Sequence, residues 1–400
     1  MPGTFLTPNQ ITREALRILH QKLNFVGSIN REYDSSFAKD GAKIGDTLRV
    51  RLPNQYTVRT GQNLSAQDTN ESSVSLAVAT QRGVDTNFTS SELTMSIDDF
   101  SKRILEPAMA VLAAHIENDA LSMYQDVSQS IWAGGSAATF GRVLQGRKLL
   151  QDSLAPMNDR TALLNTQDNV DMVDALKGLF QDSSGIAKQY REGYMGRTAG
   201  FDFAENTLLP RHTRGAANTA YTTSTLVGVL PISATPVTAI TVATGTGAMA
   251  KGDVFTIANV FAVHPETKAN TGVLQQFTVR TAYAGGGGSL QISPSIVLAG
   301  GAQNVVIPTT SATAGLTFAG TASTAVSTSL VYQKDAFAFA TADLQMPRGV
   351  DFAAREVYDG ISMRVVRQYD INTDRFPTRI DVLYGYQTLR PQLAARIHNN

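Results

Sequence analysis

The sequence predicts an α+β protein whose chain is interrupted by a separate all-β domain. Three observations lead to this prediction: helix and strand patterns are mixed over residues 1–215, charge nearly vanishes over residues 216–333, and charged strand-like segments return afterwards. The middle stretch has only five charged residues, namely Lys251, Asp253, Glu266, Lys268 and Arg280. At 400 residues the chain is long for one hydrophobic core, so more than one domain is expected.

The overall composition argues against several classes of protein. Acidic and basic residues balance at 34 each, whereas a protein that binds nucleic acid tightly usually carries a basic surplus. The chain contains no cysteine, which excludes a disulfide scaffold and thiolate metal sites. Residues 1–16 show no signal peptide pattern, and no apolar run approaches the ~20 residues that span a bilayer. We therefore expect synthesis in the cytoplasm and no membrane association.

The first predicted element is an amphipathic helix over residues 8–24. Leu16, Leu19 and further apolar residues recur every three or four positions and leave the opposite side polar. The apolar side has two possible partners, which are the helix's own domain and a neighbouring subunit.

Two strand-like stretches follow, on either side of a polar tip. In the segment GDTLRVRLPNQYTVRT, apolar residues alternate with Arg49 and Arg51, and the segment VSLAVATQRGVDTNFT alternates again. An isolated two-stranded ribbon is only marginally stable in water. The predicted hairpin should therefore lie on another part of the protein or on a partner.

A long helix is predicted over residues 97–133. Ser96 with Asp98 and Asp99 makes a favourable helix start, and Pro107 belongs in the first turn because it would be costly in the helix interior. Apolar residues at helical spacing then continue to a pair of glycines that would end the helix.

Residues 137–215 predict both helices and strands. The segments FGRVLQGRKLLQDSL and NVDMVDALKGLF have helical patterns, and TALLNT between them has the pattern of a short buried strand. Beyond the charge-poor stretch, SMRVVRQYD and TRIDVLYGYQTL alternate as two strands.

The charge-poor stretch predicts a folded β-barrel or β-sandwich. Short β-branched runs such as TAITVA and QQFTVRTA are separated by Gly and Pro signals at the spacing of small barrels. The segment KGDVFTIANVFAVHP predicts a strand, a tight turn at Asn259 and a second strand. A disordered linker would contain fewer apolar β-forming residues, so the folded interpretation is favoured.

A search for catalytic or cofactor sites finds no candidate. The five histidines lack His-x-x-x-His spacing, no Gly-x-Ser-x-Gly segment occurs, and a thiol nucleophile is excluded. The GYMGRTAG segment lacks the Lys-Ser/Thr of a phosphate loop and is interpreted as a structural turn. We predict a structural protein rather than an enzyme, without cofactor or metal.

Five segments carry a family resemblance: ELTMSIDDFSKRILEPAMAVLAAHIE, EGYMGRTAGFDFAENTLLPRHT, KGDVFTIANVFAVHPETKANTGVLQQFTV, YQKDAFAFATADLQMPRG and VLYGYQTLRPQLAARI. Together with the order of the predicted elements, they resemble the major capsid (coat) proteins of tailed bacteriophages with the Hong Kong 97 fold. The similarity is greatest to the coat proteins of Salmonella-type short-tailed phages, which carry an inserted β-barrel.

The resemblance implies a division of the chain into parts with known roles in that family. These are an N-terminal arm (1–35), a peripheral domain (36–136) with an extended loop (44–90) and a spine helix (97–133), a first axial part (137–218), an inserted β-barrel (219–331), a second axial part (332–375), and a peripheral return with the C-terminus (376–400).

The resemblance also implies a function. The subunits would assemble noncovalently into pentamers and hexamers of an icosahedral head that encloses double-stranded DNA. The partners would be a scaffolding protein, a portal protein and DNA that is contacted nonspecifically. The protein would be part of the virion, after assembly in the bacterial cytoplasm. Removing residues 1–30 would alter assembly more than folding. Candidate contacts between subunits are Leu16, Leu19, Arg49, Arg51, Tyr56, Arg59 and Arg390.

Two departures from the family are informative. Some shells of this fold join neighbours covalently through a lysine on the extended loop, but no lysine occurs between Lys43 and Lys102. No charge occurs between Arg214 and Lys251, so an acidic latch loop of a relative has no counterpart. Two alternatives stay open, namely a cellular nanocompartment shell of the same fold and a β-domain-based surface- or glycan-binding protein.

Overall fold

The structure is a computed structural model that describes most of the chain. The described residues are 8–31, 47–59, 61–64, 66–67, 71–89, 101–176, 196–218, 221–224, 234–308, 313–358, 360–372 and 375–399. The predicted helix start at Ser96, Asp98 and Asp99 lies outside them.

The α-helices occupy the first half of the described chain, and two short 3-10 helices, Lys334–Ala336 and Pro391–Leu393, lie near its C-terminal end. The bounds of the α-helices are α1 Pro8–Lys22, α2 Phe25–Ser28, α3 Glu106–Leu121, α4 Phe140–Asp152 and α5 Thr166–Leu176. A π-helix, Ser101–Leu105, precedes α3, and a 3-10 helix, Ser122–Asp126, follows it. The predicted helices at α1 and α4 are confirmed, and the one at α5 is confirmed as far as Leu176, beyond which its last residues lie outside the described ones. Pro107 lies in the first turn of α3 as predicted.

Strands occur throughout the described chain. In chain order they are β1 Thr47–Arg51, β2 Ser73–Ala77, β3 Thr80–Thr89, β4 Ser130–Trp132, β5 Arg160–Leu164, β6 Arg197–Thr198, β7 Phe201–Glu205, β8 His212–Thr213, β9 Thr222–Thr223, β10 Val237–Thr244, β11 Val254–Val263, β12 Asn270–Val279, β13 Gly288–Ile296, β14 Val305–Val306, β15 Leu316–Phe318, β16 Ala325–Val326, β17 Thr328–Gln333, β18 Phe337–Ala342, β19 Phe352–Tyr358, β20 Ile361–Arg367, β21 Arg375–Thr388 and β22 Ala394–His398.

The predicted helix over residues 97–133 is too long at its C-terminal end. Helix α3 ends at Leu121, and residues 130–132 form β4, which pairs in parallel with β22. Apolar residues at helical spacing also fit a short buried strand, because a few residues do not distinguish the two periods. Pairing with β22, which is distant in the sequence, decides the outcome.

The chain divides into two compact units. The first unit contains residues 1–50, 74–121 and 337–389, and the second contains residues 51–73, 122–336 and 390–400.

In the first unit, β21 is the central strand of a five-stranded sheet. β18, β20 and β3 pair with β21, and β19 extends the sheet beyond β20. Helix α1 packs against α3, β19 and β20. The helix therefore covers part of the sheet of its own unit.

In the second unit, a six-stranded sheet has the order β4-β22-β17-β5-β7-β6. All residues of β17 and β22 are buried. Helix α4 lies close to this sheet at Gly146, where a Cβ would stand 2.7 Å from Val331 Cγ2. Strand β22 is thus an interior strand between β4 and β17.

The inserted domain closes its sheet into a barrel. Its strand order is β14-β11-β12-β13-β10-β9, and β15 also pairs with β11. A bridge between Thr222 and Gly315 joins β9 to the residue before β15, and Leu316 N–H donates to Tyr221 O at 2.8 Å. Phe255 lies inside with Phe277 and Phe318 at ring distances of 5.9 and 5.6 Å. The predicted folded β-domain is present.

The turn predicted at Asn259 is wrong, because β11 continues through it as one strand. Asn259 has φ 64, a left-handed conformation that asparagine tolerates better than most residues. Thr256 faces Gln276 and Phe261 faces Leu274, so five steps on β11 match two steps on β12. The extra residues form a bulge in the strand.

The boundaries of the parts differ from the predicted ones. The chain enters and leaves the inserted domain through the β8–β16 ribbon, and β17 already belongs to the six-stranded sheet, before the predicted limit at residue 331. Residues 337–389 lie together in the first unit, whereas the predicted division fell at 375/376. The reason is pairing: β18 pairs with β21, but β22 pairs with β4 and β17.

Candidate assembly site

Within the predicted extended loop, β1, β2 and the described residues between them form a ribbon, and we keep the name extended loop for this ribbon. Strand β3, which also falls within the predicted bounds, pairs instead with β21. The two sides of the ribbon are joined beyond the ends of β1 and β2. Leu52 N–H donates to Ser72 O at 2.9 Å. Beside this bond, Arg51 Nη1 and Glu71 Oε2 form an ion pair of 2.9 Å between two exposed side chains. An exposed pair contributes only about 0–1 kcal/mol, so it orients the ribbon more than it stabilises it.

Nearer to the tip, Thr57 and Gln67 join the two sides again. Gln67 Oε1 accepts from Thr57 N–H at 2.9 Å and from Thr57 Oγ1 at 3.0 Å, and Gln67 Nε2 donates to Thr57 O at 2.5 Å. Arg59 Nη1 donates to the carbonyl oxygens of Gly61 and Asn63. These bonds hold the described part of the loop tip as one element.

The loop presents apolar side chains to solvent. Val58 is 95% exposed, Leu64 88% and Tyr56 55%. The guanidinium groups of Arg49 and Arg59 are on exposed residues of the same loop. A single exposed apolar residue is ordinary, but three on one narrow ribbon form a surface that a second molecule could bury.

Leu16 and Leu19 do not belong to this surface. They are 1% and 0% exposed, because α1 packs against its own unit. After α1, Glu117 Oε2 and Oε1 accept the N–H groups of Phe25 and Val26 at 3.1 and 3.3 Å. Their apolar faces are occupied within the chain, so their burial does not favour the predicted contact of these two leucines with a neighbouring subunit.

Arg390 lies apart from the loop, on the turn that leads into β22. The residue is half-buried, and its backbone N–H donates to Ala336 O at 3.1 Å. Its place is at the end of the six-stranded sheet, so it is a candidate contact of a different surface.

A buried network attaches the inserted domain to the six-stranded sheet. It consists of Tyr124, His212, Asp253, Arg396 and His398, and we call it the attachment network. His212 Nε2 lies 3.0 Å from Asp253 Oδ1, and His212 Nδ1 lies 3.2 Å from Tyr124 Oη. The Asp253 carboxylate accepts from the imidazole, and the phenol of Tyr124, which can donate or accept, completes the hydrogen bonds of the ring.

Asp253 is held mainly by backbone donors. Its Oδ2 accepts from Gly215 N–H at 3.0 Å and from Ala250 N–H at 2.8 Å. The residue is 1% exposed. A buried carboxylate is tolerated when hydrogen bonds replace its lost hydration, and these donors with His212 serve that purpose.

Arg396 and His398 bring β22 into the attachment network. Arg396 Nη1 donates to Gly252 O at 2.8 Å, and burial lowers the pKa of this guanidinium to about 10. The His398 ring lies 4.7 Å from the Trp132 ring and 5.8 Å from the His212 ring. Burial, then Arg396, then His212 lower the pKa of His398 well below 6.5, so this imidazole is neutral at pH 7.

Hydrogen bonds from β12 add to this attachment. Gln276 Nε2 donates to Ser130 O at 2.9 Å, while Gln276 Oε1 accepts Ser130 N–H at 2.7 Å. Thr278 Oγ1 donates to Gln125 O at 3.1 Å. The barrel is thus bonded to the segment between α3 and α4 by its side chains, in addition to the two chain crossings.

Sequence reasoning missed the attachment network. It treated the histidines as scattered and assigned no role to His212, His398 or Asp253. One signal was present, because Asp253 is one of the few charges in the charge-poor stretch and a lone charge among apolar strands needs a partner. The partners are distant in the chain, so spacing could not identify them.

Within the part of the chain that the structure describes, no group of three or more His, Cys, Asp or Glu residues could hold a metal ion. No described helix is both long and apolar enough to span a bilayer.

Comparison with known proteins gives both a family match and structural similarities. Residues 29–396 match the family described as P22 coat protein, gene protein 5. No curated protein matches the chain.

Three solved phage structures illustrate the structural similarity. The chain is similar to a structure from Mycobacterium phage Che8, with 11% identity, 94% of this chain and 90% of that chain covered, and a TM-score of 0.47. It is also similar to the mature capsid of bacteriophage PhiM1, with 11% identity, coverage of 91% and 84%, and a TM-score of 0.41. The procapsid of satellite phage P4 including its size determination protein gives 7% identity, coverage of 100% and 94%, and a TM-score of 0.41.

The match to the P22 coat protein family extends over most of the chain and includes the inserted domain, the extended loop and every residue of the attachment network except His398, which lies beyond its end. The chain therefore belongs to the P22 coat protein family, and it is a coat protein of the phage head.

Proposed function

We propose that this coat protein assembles noncovalently, through its extended loop, into an icosahedral head that encloses double-stranded DNA. The observation that carries the proposal is the exposure of Tyr56, Val58 and Leu64 on a ribbon whose two sides are joined by hydrogen bonds and an ion pair. Burial of such side chains by a neighbouring subunit contributes about 25 cal/mol per Å² of apolar surface.

The absence of lysine between Lys43 and Lys102 supports noncovalent assembly. Each contact of Arg49, Arg51 or Arg59 with a neighbour is expected to be weak, because exposed ion pairs contribute about 0–1 kcal/mol. Repetition of the same contacts around pentamers and hexamers makes the closed shell stable. Arg390 is proposed as a contact outside the loop.

The proposed partners are a scaffolding protein during assembly, a portal protein at one vertex and DNA that is contacted nonspecifically, with assembly in the bacterial cytoplasm. The balance of 34 basic and 34 acidic residues suits confinement of DNA rather than tight binding. The family match favours a phage head over a cellular nanocompartment or a glycan-binding protein. A structural role without enzymatic activity is part of the proposal.

Electron microscopy and sedimentation of the chain expressed with its neighbouring genes test the proposal. We expect closed shells of uniform diameter from the parent and their loss in Val58→Asp, with unchanged thermal unfolding. Val273→Asp is the matched control, because Val273 is also an exposed valine of the second unit, 57% exposed, but lies on the barrel. Normal shells from Val58→Asp would show that the loop tip does not form the contact between subunits. A parent chain that never forms shells would overturn the proposed assembly function.

A further inference from the structure

The extended loop meets the inserted domain of its own chain at Gly301. A Cβ added at Gly301 would lie 2.1 Å from the Gln55 carbonyl oxygen, 2.6 Å from its carbonyl carbon and 3.1 Å from Tyr56 N. These are main-chain atoms, which cannot rotate away as a flexible side chain can. The position therefore accepts glycine alone unless one of the two segments moves.

The barrel side of this contact is firmly held. Asn304 Oδ1 accepts Val297 N–H at 2.9 Å, and Asn304 Nδ2 donates to Ser295 O at 2.6 Å. Lys268 Nζ donates to Gln303 O at 3.3 Å, and burial lowers the pKa of this ammonium group. The turn that carries Gly301 is thus bonded both to β13 and to the β11–β12 hairpin.

On the loop side, hydrogen bonds between the two sides of the ribbon lie before and after Gln55. The Leu52–Ser72 bond and the Thr57–Gln67 bonds join the two sides of the ribbon, so the ribbon moves as one piece. A displacement at Gln55 is therefore carried to the tip, where Val58 and Leu64 are exposed.

We propose that Gly301 is a positioning residue for assembly: the inserted domain supports the extended loop through the Gly301–Gln55 contact and so sets the direction in which the exposed tip meets a second copy of this chain. The proposal rests on the function proposed above for the loop. It gives the inserted domain a role in shell geometry besides the stability of the subunit.

The test variant is Gly301→Ala, which places a methyl group against the Gln55 carbonyl. Gly315→Ala is the matched control in the same barrel, because a Cβ at Gly315 meets nothing within 4 Å. Gln55→Ala is a second control, since the contact uses main-chain atoms of Gln55 and its side chain is exposed. Asn304→Ala loosens the turn without adding an atom and keeps the test available if Gly301→Ala does not fold.

Because the chain has no cysteine, two spin labels can be placed without removing native thiols. Val58→Cys and Val273→Cys put labels on the loop tip and on the barrel, at residues that are 95% and 57% exposed. Double electron–electron resonance on unassembled subunits then measures the distance between the two. We expect one narrow distance distribution in the parent, Gly315→Ala and Gln55→Ala, and a shifted or broadened one in Gly301→Ala and Asn304→Ala. An unchanged distribution in Gly301→Ala would overturn the support contact.

Assembly of the unlabelled variants completes the test. We expect Gly301→Ala to give fewer shells, or shells of altered diameter, while Gly315→Ala gives normal ones. Normal shells despite a changed label distance would overturn the positioning role. If the parent itself forms no shells, the proposed function fails, and the label distances still decide whether Gly301 supports the loop.

Discussion

The extended loop and helix α1 differ in where their apolar side chains lie. On the loop, Val58 and Leu64 are 95% and 88% exposed, whereas Leu16 and Leu19 of α1 are 1% and 0% exposed. Helix α1 packs against α3 and the β19–β20 hairpin within its own unit. A two-stranded ribbon alone has no second layer of structure that could bury its apolar side chains. The difference shows that an apolar face in the sequence predicts burial against something. Whether that is another part of the same chain or a second molecule depends on the rest of the fold.

Removal of residues 1–30 is expected to have the largest effect on this comparison. The truncation deletes Leu16 and Leu19 from the core, and it removes Asn30, which bonds to Phe337 O at 3.2 Å and accepts Phe339 N–H at 3.0 Å. We expect an insoluble or unfolded chain by circular dichroism, which reverses the sequence-based expectation that assembly suffers more than folding. A folded truncated chain with altered shells would restore that expectation.

Leu19→Ala and Val58→Ala sharpen the comparison with single side chains. Leu19→Ala creates a cavity in a packed core and should lower the free energy of unfolding by about 2–5 kcal/mol. Val58→Ala should leave it unchanged and reduce the yield of shells. Urea unfolding and sedimentation measure the two effects, and equal losses of stability in both variants would break the distinction.

Glu117→Gln tests how the segment after α1 is fixed. An amide offers one acceptor oxygen in place of two, so one of the Phe25 and Val26 N–H groups would lose its partner, at a cost of about 1–3 kcal/mol. Glu106→Gln is the control, because the Glu106 carboxylate is exposed and forms an ion pair of 3.5 Å with Lys22. Equal unfolding midpoints for the two variants would show that Glu117 does not hold the segment.

Much of the fold could be predicted from the sequence, because local patterns determine it. The periodicity of α1 and α4, the place of Pro107 and the charge-poor stretch each identified an element that the structure contains. The strand at Ile131 and the bulge at Asn259 were missed, because pairing partners far away in the chain decide them.

The candidate site was predicted only in part, for the same reason. The alternation around Arg49 and Arg51 predicted strand β1, which forms one side of the ribbon. The contact of Gly301 with Gln55 and the pair of His212 with Asp253 join residues that no local pattern connects. Such contacts become visible only once the chain has folded.

Acid sharpens the contrast between the buried attachment network and the exposed loop. Burial, Arg396 and His212 lower the pKa of His398 in the folded chain below its unfolded value of about 6.5. Below that pH the unfolded chain binds a proton that the folded chain does not, so stability should fall by up to about 1.4 kcal/mol per pH unit. Above it, both states are neutral at this residue and the effect vanishes.

His398→Asn is the variant for this measurement. Asparagine can keep a hydrogen bond to Thr328 Oγ1, which lies 3.2 Å from His398 Nδ1, but it does not titrate. We expect a lower stability at pH 7.5 and a smaller loss between pH 6.5 and 5.5 than in the parent, measured by urea unfolding. Parallel pH profiles for the two proteins would show that His398 does not cause the acid sensitivity.

The smallest effect is expected from Arg51→Ala. The Arg51–Glu71 pair has side chains that are 76% and 51% exposed, so its loss should change the free energy of unfolding by no more than about 1 kcal/mol. The ribbon keeps the Leu52–Ser72 and Thr57–Gln67 bonds, so hydrogen exchange of the loop should also change little.

The rate of assembly, followed by light scattering at low and high salt, is the sensitive measurement. If Arg51 meets a neighbouring subunit, the variant assembles more slowly and with a weaker salt dependence, although its stability is nearly that of the parent. An unfolding change above about 2 kcal/mol would mean that the loop is part of the folded core after all, and the contrast with α1 would disappear.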